Sequence, residues 1–338
     1  MNTAEHGRFV WHELNSTDPK AGERFYRAIT GWGMLPFEAM PSYRMWTADG
    51  VPQGGLMLLP EQARKAGAPS HWLTYVGVPE VDASVRLANS LGAKTLVPPQ
   101  DIPGSGRFAV LADPQGALFA VHSSPQAMPP EAPAKLGEFS WHELATTDAG
   151  AAWRFYEKLF GWKKMDSMQS PMGLYEMFGR GSVMYGGIYT KPSASPAPPH
   201  WLAYIKVKSV DAASVQAKSL GAKILAGPMD IPGGDRIVMC IDPQGAAFAL
   251  HSQGAAVPVV VRGPARKAKA PAKSSAKRKG RSAAKKAPKK KAAKKKATKK
   301  RAKRAAAKPR RVAKRKAKPR AKPKVKARKG RKAKPRGR

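Results

Sequence analysis

The chain repeats itself. FVWHELNSTDPKAGERFYRAITGW, starting at Phe9, returns at Phe139 as FSWHELATTDAGAAWRFYEKLFGW, and HWLTYVGVPEVDASVRLANSLGAK at His71 returns at His200 as HWLAYIKVKSVDAASVQAKSLGAK. ADPQGALFAVHS, ending at Ser123, returns as IDPQGAAFALHS, ending at Ser252. The spacing is about 130 residues throughout, which leaves room for one ordinary domain per copy. Two similar units in tandem are therefore expected. The Pro-, Ser- and Ala-rich SSPQAMPPEAPAK between them reads as a linker. The expected division is a first domain over 1–124, a linker over 125–135, a second domain over 136–253 and a tail over 254–338.

Each copy splits again. Phe9–Leu14 alternates apolar and polar residues like a half-buried strand. Asp18 then stands at an N-cap, Pro19 at the first helical position, and Phe25, Tyr26 and Ile29 on one helical face. Gly31 is placed to end that helix in a left-handed conformation. Strands are expected near 33–38, 42–48 and 54–59. The order recurs with a strand at 71–78, a helix at 81–91 stopped by Gly92, and strands near 94–98, 106–112 and 117–122. Asp113-Pro114-Gln115-Gly116 and Asp242-Pro243-Gln244-Gly245 have the composition of type I turns closing hairpins. The fold class expected is α+β: two tandem domains, each made of two βαβββ modules whose curved sheet encloses a cavity.

Charge separates the tail from this body. Residues 262–338 hold 40 of the 62 Lys and Arg and none of the 22 Asp and Glu, so the preceding residues are formally neutral and the whole net charge of +40 lies in the tail. The tail has no aromatic residue, and Val312 and Val325 are its only large aliphatics. Such a segment buries too little apolar surface to offset chain entropy and is expected to be disordered alone. One cysteine, Cys240, excludes an internal disulfide and fits a reducing compartment. The N-terminus has no signal-peptide core and no 18-residue apolar run occurs, so a cytoplasmic protein is expected, nucleoid-associated if bacterial.

The module order, with FYxxxxGW after the first strand and DPxG before the last, resembles the vicinal oxygen chelate superfamily, which includes glyoxalase I, bleomycin-resistance proteins and extradiol dioxygenases. The resemblance covers roughly residues 7–253 and is specific for fold, not for reaction. It implies that metal-dependent members hold a divalent ion with side chains on the first, fourth, fifth and eighth strands, usually His or Gln, Glu, His and Glu. Anchored on the FY helix and the DPxG turn, these positions fall on Trp11 and Trp141, Leu73 and Leu202, and Ala120 and Ala249. On the fourth strand GGLMLLP and GGIYT offer no Glu. No cofactor is therefore identified, and a divalent metal is not favoured.

The paired histidines and glutamates still need an account. His71, His122 and Glu13 fall on the face expected to carry Leu73, Ala120 and Trp11, which makes them a candidate two-His-one-carboxylate metal set. Glu143, His200 and His251 repeat it, and all six are candidate catalytic residues. Trp11, Trp72 and Tyr75, with Trp141, Trp201 and Tyr204, are candidate ligand-lining residues. No Ser–His–Asp spacing, phosphate-binding glycine loop or CxxC pair is present in the sequence.

The tail resembles linker-histone tails. Its Lys and Arg should displace counterions from a nucleic-acid backbone without reading bases. The candidate contacts are Lys285, Lys286, Lys289, Lys290, Lys294, Lys295, Lys296, Lys299, Lys300, Arg301, Arg304, Arg310 and Arg311. Three readings follow. The first is a small-molecule-binding protein of the glyoxalase and bleomycin-resistance kind, without the usual metal, whose tail binds DNA or RNA. The second is a lyase- or dioxygenase-type enzyme with a non-standard metal site, and the third an architectural nucleoid protein. The ligand and the oligomeric state are not legible.

Overall fold

Asp18 accepts a hydrogen bond from the Ala21 N–H, Pro19 opens the helix, and Gly31 closes it at φ 76°, as the capping pattern requires. The computed structural model in which this is seen describes residues 6–254, so the tail and its contact residues lie outside the described residues. The first repeat runs β1 (Phe9–Ser16), α1 (Pro19–Thr30), β2 (Gly33–Pro36), β3 (Arg44–Ala48), β4 (Val51–Leu58), α2 (Glu61–Lys65), β5 (His71–Gly77), α3 (Val81–Ser90), β6 (Lys94–Ile102), β7 (Gly106–Ala112) and β8 (Leu118–Ser123). The second runs β9 (Phe139–Thr146), α4 (Ala149–Phe160), β10 (Lys163–Ser170), β11 (Gly173–Arg180), β12 (Val183–Thr190), β13 (His200–Lys206), α5 (Val210–Ser219), β14 (Lys223–Asp230), β15 (Arg236–Ile241) and β16 (Ala247–Ser252). Four strand–helix–three-strand modules are present. Only the short α2 departs from the expected order.

Each repeat forms one curled eight-stranded sheet, in the order β2-β3-β4-β1-β5-β8-β7-β6 and its equivalent. The central strand β1 lies parallel to β4 and antiparallel to β5, which lies parallel to β8. One face of each sheet carries helices; the other is an inner face.

The helix-side cores are shared between the repeats. Phe25 and Tyr26 of α1 pack against Phe248 of the second repeat, at ring-centroid distances of 5.6 and 5.3 Å. Tyr26 Oη donates to Asp242 Oδ2 at 3.0 Å and accepts from Trp72 Nε1 at 2.8 Å. The mirror set repeats this, with Tyr156 Oη donating to Asp113 Oδ2 at 3.0 Å and Phe155 against Phe119 at 6.0 Å. Trp32 and Trp162 each reach across to a backbone carbonyl, of Gly137 and Gly7, at 2.7 Å. Asp113 and Asp242 thus do more than close a turn. One oxygen caps the loop N–H groups of Gln115 and Ala117, or of Gln244 and Ala246, and the other receives a tyrosine from the other domain. The core clusters draw buried apolar side chains from both repeats, each contributing roughly 1.5–3 kcal/mol, and bind the two domains into one unit.

Candidate functional site

Strand alternation puts Trp11, Glu13 and Asn15 of β1 on the inner face and sends His12 and Leu14 to the helix side. The register completes the inner surface. Glu13 lies beside Leu73 on β5 and Gly55 on β4, Trp11 beside Tyr75, and Tyr75 beside Ala120 on β8. Leu73, Tyr75 and Ala120 pack there with Val10, Trp11 and Phe108.

Within this apolar setting sits one carboxyl group. Glu13 is 8% exposed and accepts from Asn15 Nδ2 at 3.1 Å and from the hydroxyls of Tyr43 and Tyr75. Tyr43 Oη in turn accepts from Trp11 Nε1 at 2.8 Å. Burial raises the Glu13 pKa, and the three donors partly oppose that by favouring the anion. Burial beside the Glu13 charge raises the Tyr43 and Tyr75 hydroxyls, so both remain donors.

The second repeat builds the same arrangement with one donor fewer. Glu143 is 5% exposed and accepts from Tyr204 Oη at 3.2 Å and from Tyr175, while Trp141 Nε1 donates to Tyr175 Oη at 2.8 Å. Ala145 stands where Asn15 stands in the first repeat, paired with His200 as Asn15 pairs with His71. Burial pushes the Glu143 carboxyl up to about 7, against the pull of its two tyrosines. It therefore exchanges a proton near neutrality.

The paired glycines of β4 and β12 make room for this. A Cβ on Gly55 would lie 1.7 Å from Tyr43 Oη, and one on Gly187 would lie 2.1 Å from the Tyr175 ring. The tyrosine from the neighbouring hairpin lies over the glycine and delivers its hydroxyl to the carboxyl.

Trp11, Tyr75, Trp141 and Tyr204 thus line the inner faces with Glu13 and Glu143. Two expectations are corrected. Trp72 and Trp201 point to the helix side, opposite Leu14 and Leu144, where their indole N–H groups bond Tyr26 and Tyr156. The set Glu13, His71 and His122 does not converge. His71 lies at the level of Asn15, whereas His122 lies at the level of Gly77, six residues along β5 and about 20 Å away. Alternation predicts the face of a residue but not its level along the strand. His71 Nδ1 bonds the Pro69 carbonyl and His122 Nε2 the Ser105 carbonyl, at 2.9 and 3.0 Å. His200 and His251 lie at the same opposite ends in the second repeat. His200 bonds the Pro198 carbonyl at 2.8 Å, and His251 lies between Ser140 and Asp235.

Trp11, Leu73 and Ala120 stand on the inner face, with Gly55 beside Glu13. Among the described residues no three His, Cys, Asp or Glu side chains cluster for a metal. Tyr43, Tyr175 and Asn15 are the residues that sequence reasoning missed. A usable signal existed, since SYRMW and GLYEMF place Tyr43 and Tyr175 two residues before Met45 and Met177 in both copies. Open clefts lie elsewhere: one of about 640 Å3 beside Asp101, Arg107 and Ser123, and one of about 230 Å3 beside Lys164 and Glu176. No described helix is long and apolar enough to cross a membrane.

The glyoxalase-like domain family matches residues 11–122, and the glyoxalase/bleomycin resistance protein/dioxygenase superfamily matches residues 138–250. The putative glyoxylase CFP32 of Mycobacterium tuberculosis is 31% identical over 245 residues, which span 71% of this chain and 92% of that protein. The anthracycline biosynthesis protein DauV of Streptomyces sp. (strain C5) is 27% identical over 276 residues, 76% of this chain and 97% of its own. The Mn(II)-bound glyoxalase from Novosphingobium aromaticivorans superimposes with a TM-score of 0.52 at 17% identity, covering 74% of this chain and 82% of that one. Homoprotocatechuate 2,3-dioxygenase from Brevibacterium fuscum gives 0.54 at 15% identity, covering 75% and 83%. These two structures speak for the fold alone.

Proposed function

The chain belongs to the glyoxalase/bleomycin resistance protein/dioxygenase superfamily, also called the vicinal oxygen chelate superfamily, and on that premise we propose that its two inner faces bind small hydroxylated aromatic molecules without the family's usual metal. The observation that carries this reading is the buried carboxyl of Glu13 and of Glu143, each set among tyrosine and tryptophan. A carboxylate in an apolar cage is costly unless hydrogen-bond donors face it. Tyr43 and Tyr175 supply such donors as phenols, each also accepting an indole N–H. A phenolic ligand offers the same two complementary bonds and an aromatic surface to stack. It would enter by displacing the tyrosine that covers Gly55 or Gly187. Glu143, poised near neutrality, would share or accept the phenol proton. The relatives, named as a putative glyoxylase and an anthracycline biosynthesis protein, suit a pocket for small or aromatic oxygenated compounds.

Absorption titration of 4-nitrophenol with the full chain tests this, because the band reports how far the phenol proton is shared. Saturable binding that weakens at least tenfold in the Glu13→Gln/Glu143→Gln double variant is expected. Binding unaffected by that variant, or no binding, rejects the reading.

The basic tail is proposed to hold the protein on DNA or RNA through backbone phosphates. The support is its charge: 40 Lys and Arg with no acidic residue, beside a formally neutral body.

A further inference from the structure

Ser140, His251 and Asp235 form a hydrogen-bonded line at one end of the second inner face. Ser140 Oγ lies 2.9 Å from His251 Nδ1, and His251 Nε2 lies 2.9 Å from Asp235 Oδ2. A carboxylate only accepts, so in the neutral ring Nε2 carries the proton and Nδ1 presents its lone pair to the serine hydroxyl. Ser140 Oγ also lies 3.4 Å from the Tyr204 carbonyl, a much weaker contact.

A β-bulge puts the serine there. Pairing between β9 and β13 steps from Trp141–Tyr204 to Phe139–Ile205, which leaves Ser140 unpaired. Bulges re-aim a side chain, and the equivalent bulged residue of the first repeat, Val10, packs on the inner face beside Leu73 and Tyr75. His251 shares the inner side with Tyr204 and Ala249, so both reach the same surface. The His251 and Asp235 side chains are 15% and 38% exposed, so the site opens to the surface of the described residues.

The first repeat shows that the fold does not require this line. Val10 replaces the serine and Gly106 the aspartate, and His122 bonds the Ser105 carbonyl instead. Two independent positions therefore differ between the copies, and both differences serve the same histidine.

We propose that Ser140, His251 and Asp235 are a nucleophilic site that hydrolyses small carboxylic esters of aromatic alcohols. Ser140 Oγ attacks the ester carbonyl while His251 Nδ1 takes its proton. The new Oγ–C bond forms, the bond from carbonyl carbon to the alcohol oxygen breaks, and His251 returns the proton to the leaving alcohol. Water then attacks the acyl-serine, giving its proton to His251, and the acid leaves as Ser140 recovers its hydrogen. No oxidant, reductant or metal enters the balance. Asp235 is a positioning residue that holds the imidazole tautomer. Trp141, Tyr204, Ile237 and Met239 provide the apolar surface for the aryl group.

The test uses the full chain with 4-nitrophenyl butyrate and, separately, an alkyl fluorophosphonate followed by mass spectrometry of peptides. The expected result is one fluorophosphonate adduct per chain, on Ser140, and ester turnover that falls about a hundredfold or more in Ser140→Ala and His251→Gln. Asp235→Asn should lower kcat with little change in KM, and Asp235→Glu should restore part of it. Ser140→Val, which copies the first repeat, keeps the fold intact by circular dichroism and abolishes labelling. Absence of an adduct on Ser140, or turnover unchanged in Ser140→Ala, overturns the proposal.

Discussion

His12 Nε2 and His142 Nε2 meet at 2.7 Å in the seam between the two domains. Each ring is sandwiched against the other domain's opening phenylalanine, His12 on Phe139 and His142 on Phe9, at centroid distances of 3.6 Å. His142 Nδ1 lies 3.1 Å from the Tyr185 carbonyl and the His12 ring has a backbone hydrogen bond to Gln53 in the same way, so one Nε2–H donates to the other ring's lone pair across the seam. The contact is made of two neutral rings. Burial holds both below the ordinary histidine range, His142 at about 3.

That neutrality sets the acid limit of the fold. A depressed folded pKa contributes stability above the unfolded value, near 6.5, that is lost as pH falls toward 3. Urea midpoints measured between pH 7 and 4 should fall in the wild type. The fall should be shallower in the His12→Phe/His142→Phe double variant; parallel curves would contradict the assignment.

Glu143 acts in the opposite direction. Its folded pKa is raised from 4.5 to about 7, so its contribution is fully present below 4.5 and is lost as pH rises through 7. The shift corresponds to roughly 3 kcal/mol. Glu143→Gln, neutral at every pH, should gain stability relative to wild type between pH 5 and 8 in the same denaturation series.

Tyr26→Phe and Tyr156→Phe each remove the hydroxyl that links an aspartate of one domain to an indole of the other. Leaving the buried Asp242 or Asp113 without that donor should cost about 1–3 kcal/mol in chemical denaturation. Because the helix-side cores are shared, unfolding should remain a single transition. Separate domain transitions would contradict the shared seam.

The tail proposal predicts nucleic-acid binding by the full chain and none by residues 1–255 in filter binding or fluorescence anisotropy. Ten phosphate contacts would give a log–log salt slope of about −9. A shallow slope, or binding by the truncated protein, would contradict it.

The modules were legible because caps and alternation are local. Asp18, Pro19 and Gly31 stand where the helix needs them. Trp11 and Glu13 share a face because β1 alternates, and the same rule placed Glu143. Three things were not legible. Level along a strand depends on register, so His71 and His122 came out at opposite ends. The side of Trp72 was misjudged because an indole suits a ligand wall and a core equally well. Tyr43 reaches Glu13 from the next hairpin over a glycine, and Ser140 reaches His251 through a bulge, contacts that no spacing in the chain encodes.

The carboxyl of Glu143 is the centre of the account, and difference infrared spectroscopy reads it directly. Titration of the full chain from pH 5 to 9 should show a protonated-carboxyl band that disappears near pH 7, is absent in Glu143→Gln, and shifts when 4-nitrophenol saturates the protein. A Glu143 carboxyl already ionised at pH 5, or a band indifferent to 4-nitrophenol, would contradict the placement of the ligand site on the inner face.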